Sequence, residues 1–182
     1  MSRAGTRRKS RPADAPAVAV VIVDDDGDWS SFGDVAAIAT ECAGAVAASP
    51  AWTNARPATV TVALSSDAAV RVLNQRFRGQ DKPTNVLSFP AAGPVPTAGP
   101  RPLGDIVLAA ETLEREADAM AIPRPHHLRH LLVHGLLHLL GHDHQTDAEA
   151  EAMEALEIEI LAGFGIANPY ADGEPQGQHT TP

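Results

Sequence analysis

A chain of 182 residues, 44% of them hydrophobic, can build one domain with a real core and is too short for two of ordinary size. Its single cysteine, Cys42, excludes an internal disulfide framework, so a reducing cytoplasm fits, no disulfide-linked partner is expected, and any metal must be held by His, Asp or Glu. The net charge of −9 weighs mildly against a nucleic-acid partner, but the charges are unevenly spread, and a local basic patch can still bind phosphate.

Residues 1–16 (MSRAGTRRKSRPADAP) are basic, lack the apolar stretch of a secretory signal, and read as a disordered arm. Residues 17–24 (AVAVVIVD) form a continuous β-branched run, the mark of a buried strand. The DDDGD run that follows is a turn. Residues 32–48 are Ala-rich, with Val35, Ile38, Ala39, Cys42 and Val46 at helical spacing, and Pro50 stops them. Residues 58–64 (ATVTVAL) alternate as a second strand. Ser66 and its neighbours cap a helix that runs through Val70, Leu73, Asn74 and Phe77 and ends near Gly79.

Residues 85–89 (NVLSF) predict a third strand, and the Pro/Gly-rich stretch 91–102 an irregular loop. Residues 105–109 (DIVLA) predict a fourth, short strand, and 110–121 a helix. The next helix carries Pro125 in its first turn, runs to Leu140, and has Gly141 as the residue just beyond its end. The last helix spans 148–161, with Met153, Leu156, Ile160 and Leu161 on its apolar stripe. The acids around it (Asp147, Glu149, Glu151, Glu154, Glu157 and Glu159) read as solvated surface.

Four short strands among five helices predict an α+β (mixed α/β) single domain: a small four-stranded mixed sheet with the 125–140 helix beside it. The core is expected at 17–166, with a flexible tail at 167–182. The longest apolar run, 131–140, is interrupted by two histidines and falls far short of the roughly 20 residues that span a bilayer, so no membrane partner is expected and the protein reads as cytoplasmic.

The chemistry concentrates in HGLLHLLGHDH, residues 134–144. His134 and His138 are four apart on a helix and share a face. Gly141 lets the chain turn, so that His144 can bring a third nitrogen to the same point. Three protein ligands leave a fourth position for water, the layout of a catalytic zinc site. The helix is apolar nearly all round and should be buried, and neutral imidazoles there need partners. One ion per chain is expected; an all-nitrogen set suits zinc and also nickel or manganese. Among the other histidines, His130 is assigned to the surface, and His126 and His127 to a solvated helix start. His142, inside the turn, is a candidate for supporting the site or closing it with a fourth nitrogen.

The pattern matches that of the metzincin proteases at every fixed position except the glutamate, which Gly135 replaces. That glutamate is the general base of the protease, so its absence argues against peptide hydrolysis. A glycine inside a helix costs roughly 1 kcal/mol against alanine. Close approach by substrate or a strand and simple helix–strand packing account for Gly135 equally well. Phosphodiester cleavage suits the site, because positive charge on the phosphate oxygens does much of the work. The stretch LNQRFRGQDKPTNVLSFP, residues 73–90, adds Arg76, Arg78, Lys82 and Asp81 in a turn before a strand. Arginine holds phosphate through paired, charge-assisted hydrogen bonds.

Together these two stretches resemble the YbeY family of bacterial endoribonucleases and rRNA maturation factors. The family's His-Gly-x-Leu-His-Leu-x-Gly-Tyr-Asp-His signature is matched by His134, Gly135, Leu137, His138, Leu139, Gly141, Asp143 and His144. Its second block is matched at Leu73, Asn74, Arg78, Asp81, Pro83, Thr84, Asn85, Val86, Leu87, Ser88 and Phe89, and residues 103–106 (LGDI) resemble a third segment. His142 and Phe77 stand where the family has tyrosines. The resemblance implies a zinc-dependent, single-strand-specific endoribonuclease that acts on rRNA at the ribosome or its small subunit, in 3′ end maturation of 16S rRNA and late quality control. It implies His134, His138 and His144 as metal ligands and Arg78 as the catalytic arginine that contacts phosphate. Asp81 or Asp143 would orient Arg78 or a histidine, or take a proton; the sequence leaves that choice open. Two rival readings stand beside it: a metal-dependent hydrolase of another substrate, and a non-catalytic ribosome-assembly factor with a structural metal.

Overall fold

Alternation builds the sheet. In β2 (Ala58–Ser65), Val60, Val62 and Leu64 turn to one face and are buried, while Thr59, Thr61 and Ala63 turn to the other. Parallel partners flank it, β1 (Val18–Asp24) on one side and β4 (Arg101–Ala109) on the other. Strand β3 (Val86–Pro90) runs antiparallel to β4, giving the order β1-β2-β4-β3 with β3 at an edge. The computed structural model describes residues 17–53 and 56–171. The basic arm expected at 1–16 and the tail beyond 171 lie outside the described residues.

Helices α1 (Val35–Ala48), α4 (Arg124–Leu139) and α5 (Asp147–Ala162) share the larger core with Val60, Val62, Val86, Ile106 and Leu108. Helix α2 (Asp67–Arg78) covers the opposite face, where Val70 packs with Leu87, Val107 and Ala109. Helix α3 (Ala110–Ala119) leads from β4 back to α4. This is the α+β domain with a four-stranded mixed sheet and five helices that the sequence predicts. No helix among the described residues is long and apolar enough to cross a membrane.

Two boundaries move. Helix α1 begins at Val35 because Gly33 turns at φ +80° after a 3-10 turn (Ser30–Phe32) and the Asp34 side chain then accepts from the Ala37 N–H at 2.9 Å. Strand β4 begins at Arg101, within the stretch expected to be loop. Leu103 is the extra residue of a bulge, since Thr59 pairs with Pro102 and Val60 with Gly104. Gly104 itself is required: at φ +134° it passes so close to β3 that a Cβ would run into the Phe89 carbonyl oxygen.

Helix α4 is the element that matters for function. Pro125 opens it, and a Schellman turn closes it: the Gly141 N–H donates to His138 O at 2.9 Å and the His142 N–H to Leu137 O at 3.1 Å, with Gly141 at φ +93°. That turn redirects the chain sharply after His138.

Candidate metal centre

His134, His138 and His144 converge. One ring nitrogen from each lies within 4.8 Å of the other two. His134 Nε2 and His138 Nε2 are 3.0 Å apart, and the ring of His144 stands 5.0 Å from that of His138 and 5.7 Å from that of His134, centre to centre. Two nitrogens on a tetrahedral zinc with bonds of about 2.0–2.1 Å stand about 3.3 Å apart, so the spacing fits a metal with little adjustment. The donor set is all imidazole, which suits a borderline-soft divalent ion.

The electrostatics favour a neutral His138. Burial, and then the neighbouring His134 and His144, push the His138 pKa down from 6.5 to about 4. A neutral imidazole offers its lone pair without first losing a proton. Asp143 hydrogen-bonds within its own turn. Its Oδ1 accepts from the His144 backbone N–H at 2.9 Å and its Oδ2 from Gln145 Nε2 at 2.6 Å. Burial alone would raise its pKa, but these hydrogen bonds hold it lowered. Asp143 therefore orders the turn that delivers His144. His142 is not in the converging group among the described residues; its backbone closes α4 instead.

Gly135 packs rather than reacts. A Cβ there would meet Ile106 Cδ1 and Ser88 Oγ, both at 3.1 Å. Of the two accounts the sequence left open, helix–strand packing is the one observed.

Behind the cluster lies a residue the sequence reading misplaced. Glu157, grouped with the solvated acids, is fully buried. Its Oε1 is 2.8 Å from His134 Nδ1, and its Oε2 is 3.2 Å from His130 Nε2 and takes the Tyr170 hydroxyl as well. Burial would raise its pKa; the hydrogen bonds from His130 and His134 outweigh that and hold it well below the usual carboxylate range. His130, expected at the surface, is 7% exposed, because α5 and Tyr170 fold over that side of α4. His127, expected to be solvated, is also buried, with Nε2 2.7 Å from Glu116, which in turn accepts from Asn85 Nδ2 at 2.9 Å. A signal for Glu157 was present: it lies four residues after Met153 and four before Leu161, on the apolar stripe of α5.

Arg78 ends α2 on the other face of the sheet. Helix α4 runs along β3, from His127 and its link to Asn85 to Gly135 on Ser88, so its histidine end points toward Pro90. At that same end Phe77 packs edge-on against Phe89, ring centres 5.1 Å apart. Arg78 is half-buried, and its Nε is buried with no hydrogen-bond partner among the described residues. Burial lowers its pKa. Asp81 forms a two-pronged pair with Arg71, at 2.7 and 2.8 Å. Both partners are exposed, and Arg71, about two turns back from Arg78 on α2, reaches Asp81 across the turn.

The chain is similar to known proteins over most of its length. A family model for Endoribonuclease YbeY matches residues 31–165. An Endoribonuclease YbeY of Bradyrhizobium sp. (strain BTAi1) is 59% identical over 121 residues, 64% of this chain and 72% of the relative. One from Azorhizobium caulinodans is 52% identical over 151 residues, covering 83% and 94%. One from Rhodopseudomonas palustris (strain BisA53) is 50% identical over 168 residues, covering 90% and 95%. A solution structure of a Thermotoga maritima protein, 24% identical, shares the fold with a TM-score of 0.51 over 88% of this chain and 99% of that one.

Proposed function

The chain belongs to the YbeY endoribonuclease family, and from that premise we propose that it is a metal-dependent endoribonuclease cutting single-stranded rRNA, with His134, His138 and His144 as the metal ligands and Arg78 as the catalytic arginine. The observation that carries this reading is the convergence of the three imidazole nitrogens at the end of a buried helix, without a carboxylate at position 135.

His134, His138 and His144 would hold a divalent metal, which would supply positive charge at a phosphate oxygen and make water more acidic. The protein's own part is to hold and to neutralise. The three histidines are locked by the helix, the Schellman turn and the Asp143-ordered loop. Arg78 offers a partly desolvated guanidinium whose Nε has no competing acceptor among the described residues, suited to charge that grows on the phosphate as the bond breaks. RNA laid around the β3 edge at its Pro90 end would reach both. Phe77, half-exposed beside Arg76 at 5.3 Å, is an aromatic face for a base at the same edge. Few aromatics and several arginines favour salt-sensitive binding with weak sequence preference.

Zinc is the metal proposed, one ion per chain, on the all-nitrogen donor set. Maturation of the 16S rRNA 3′ end, action at the ribosome or small subunit, and a cytoplasmic site of action are proposed on the family resemblance.

The test is cleavage of end-labelled single-stranded RNA by purified protein, with and without chelator, beside His138→Ala. Cleavage abolished by both supports the reading. No cleavage by metal-loaded wild type, alone or with 30S subunits, overturns it.

A further inference from the structure

We infer that Glu157 is the positioning residue of the metal centre: its buried carboxylate fixes the tautomer and rotation of His134, so that α5, which carries it, sets how tightly the three histidines hold a metal. The inference rests on those histidines being a metal centre and goes beyond it, because nothing in the histidine motif calls for a carboxylate from another helix.

The first step concerns why an acid is there at all. A carboxylate taken out of water costs several kcal/mol unless its lone pairs are satisfied. Replacing Glu157 by an aliphatic residue of similar size would fill the same space between α4 and α5 without that cost. Instead the carboxylate is kept and saturated. Oε1 faces His134 Nδ1 at 2.8 Å, while Oε2 is shared by His130 Nε2 at 3.2 Å and the Tyr170 hydroxyl.

The second step concerns the proton. An ionised carboxylate only accepts hydrogen bonds, so the nitrogen facing Oε1 carries the hydrogen. His134 is therefore held as the Nδ1–H tautomer, which leaves Nε2 bare and pointed at His138 Nε2, 3.0 Å away. Without that acceptor the imidazole would divide between two tautomers, and only one can serve as a ligand from Nε2. A negative charge behind the ring also makes the ligand nitrogen more basic.

The third step concerns the two halves of the carboxylate. Tyr170 and His130 occupy Oε2 and leave Oε1 to His134. Tyr170 lies beyond α5, within the stretch expected to be a loose tail; its hydroxyl donates to Glu157 and its ring stands edge-on to His130, centres 5.7 Å apart. Removing that hydroxyl should loosen the docking and leave the His134 contact in place.

The experiment compares wild type, Glu157→Gln and Tyr170→Phe as full chains. Zinc affinity is read by competition with a chromophoric chelator, folding by circular dichroism, and the His134 tautomer in metal-free protein by long-range 1H–15N imidazole spectra. Glu157→Gln should fold, lose about 10- to 100-fold in zinc affinity, and show His134 as a tautomer mixture. Tyr170→Phe should keep the Nδ1–H tautomer and lose less than about a third of that effect on a logarithmic scale. Wild-type affinity in folded Glu157→Gln, or equal losses in the two variants, overturns the inference and leaves the metal centre standing. Failure of the wild-type protein to take up zinc, cobalt or nickel overturns the metal reading itself, and the inference with it. If Glu157→Gln does not fold, Glu157→Asp decides: its shorter carboxylate should lower affinity in folded protein, and an unchanged affinity there overturns the inference.

Discussion

A Cβ on Gly135 would stand 3.1 Å from Ile106 Cδ1, which means helix α4 lies directly on the sheet at the position where zinc proteases carry their general base. The same position meets Ser88 Oγ at 3.1 Å, so both β3 and β4 press on it. The two fold contacts explain the departure from the protease pattern: the helix has traded a side chain for close packing. A glutamate there would have to enter the interface. Gly135→Glu is expected to destabilise the protein by about 3 kcal/mol or more, since overpacking costs about 1–3 kcal/mol and an unpaired buried carboxylate adds to it. A urea denaturation midpoint reads the loss, and casein should remain uncut. Wild-type stability in this variant would show that the side chain escapes the interface and would end the packing account.

Cys42 is fully buried on α1, and burial pushes its thiol up to about 12. An unfolded thiol titrates near 9, so between pH 9 and 12 the unfolded chain has lost a proton that the folded one keeps. More protons on the folded state means that stability falls as pH rises through this window. Cys42 should react with a disulfide reagent at pH 8 at least about 100-fold more slowly in native protein than in urea. The fall in urea midpoint between pH 8 and pH 10.5 should be smaller in Cys42→Ala. Fast labelling of native protein would contradict the burial.

What could be read from the sequence was what depends on spacing. Thr59 and Thr61 against Val60 and Val62 give β2 two faces, and the i, i+4 spacing of His134 and His138 gives α4 its ligand face. What could not be read depends on neighbours distant in sequence. Pro102 and Gly104 look like loop residues; they belong to β4 because Thr59 and Val60 pair with them and Phe89 lies too close for a side chain. Glu157 looks like one acid among many on α5, and only the docking of α5 on α4 turns it inward to His134. Asp81 sits beside Arg78 in the motif, yet its carboxylate goes to Arg71, an arginine that the motif does not mark.

That last contact yields a prediction that separates Asp81 from its neighbour. The Arg71–Asp81 pair is exposed on both sides, at 54% and 64%. Exposed pairs of this kind contribute little. Asp81→Ala should leave RNA cleavage within about twofold and the melting temperature unchanged, if Asp81 serves only Arg71. A large loss of cleavage with metal content intact would return Asp81 to the reaction as a proton acceptor or as an orienter of Arg78.

Arg78 is expected to behave in the opposite way. Its Nε is buried and lacks an acceptor among the described residues, so the side chain supports no ion pair there through that atom that truncation would break. It also belongs to α2, not to the helix that carries His134 and His138. Arg78→Ala should therefore leave zinc content unchanged while cleavage falls by about 100-fold, the usual effect of removing one charge-stabilising donor. Arg78→Lys should recover only part of it, because a lysine keeps the charge and loses the planar fork. The two readouts are made on the same preparation: metal by atomic absorption, turnover on end-labelled single-stranded RNA at saturating substrate. If cleavage and metal fall together, Arg78 supports the fold of the site rather than the reaction. If neither falls, the β3 edge is not where the phosphate lies.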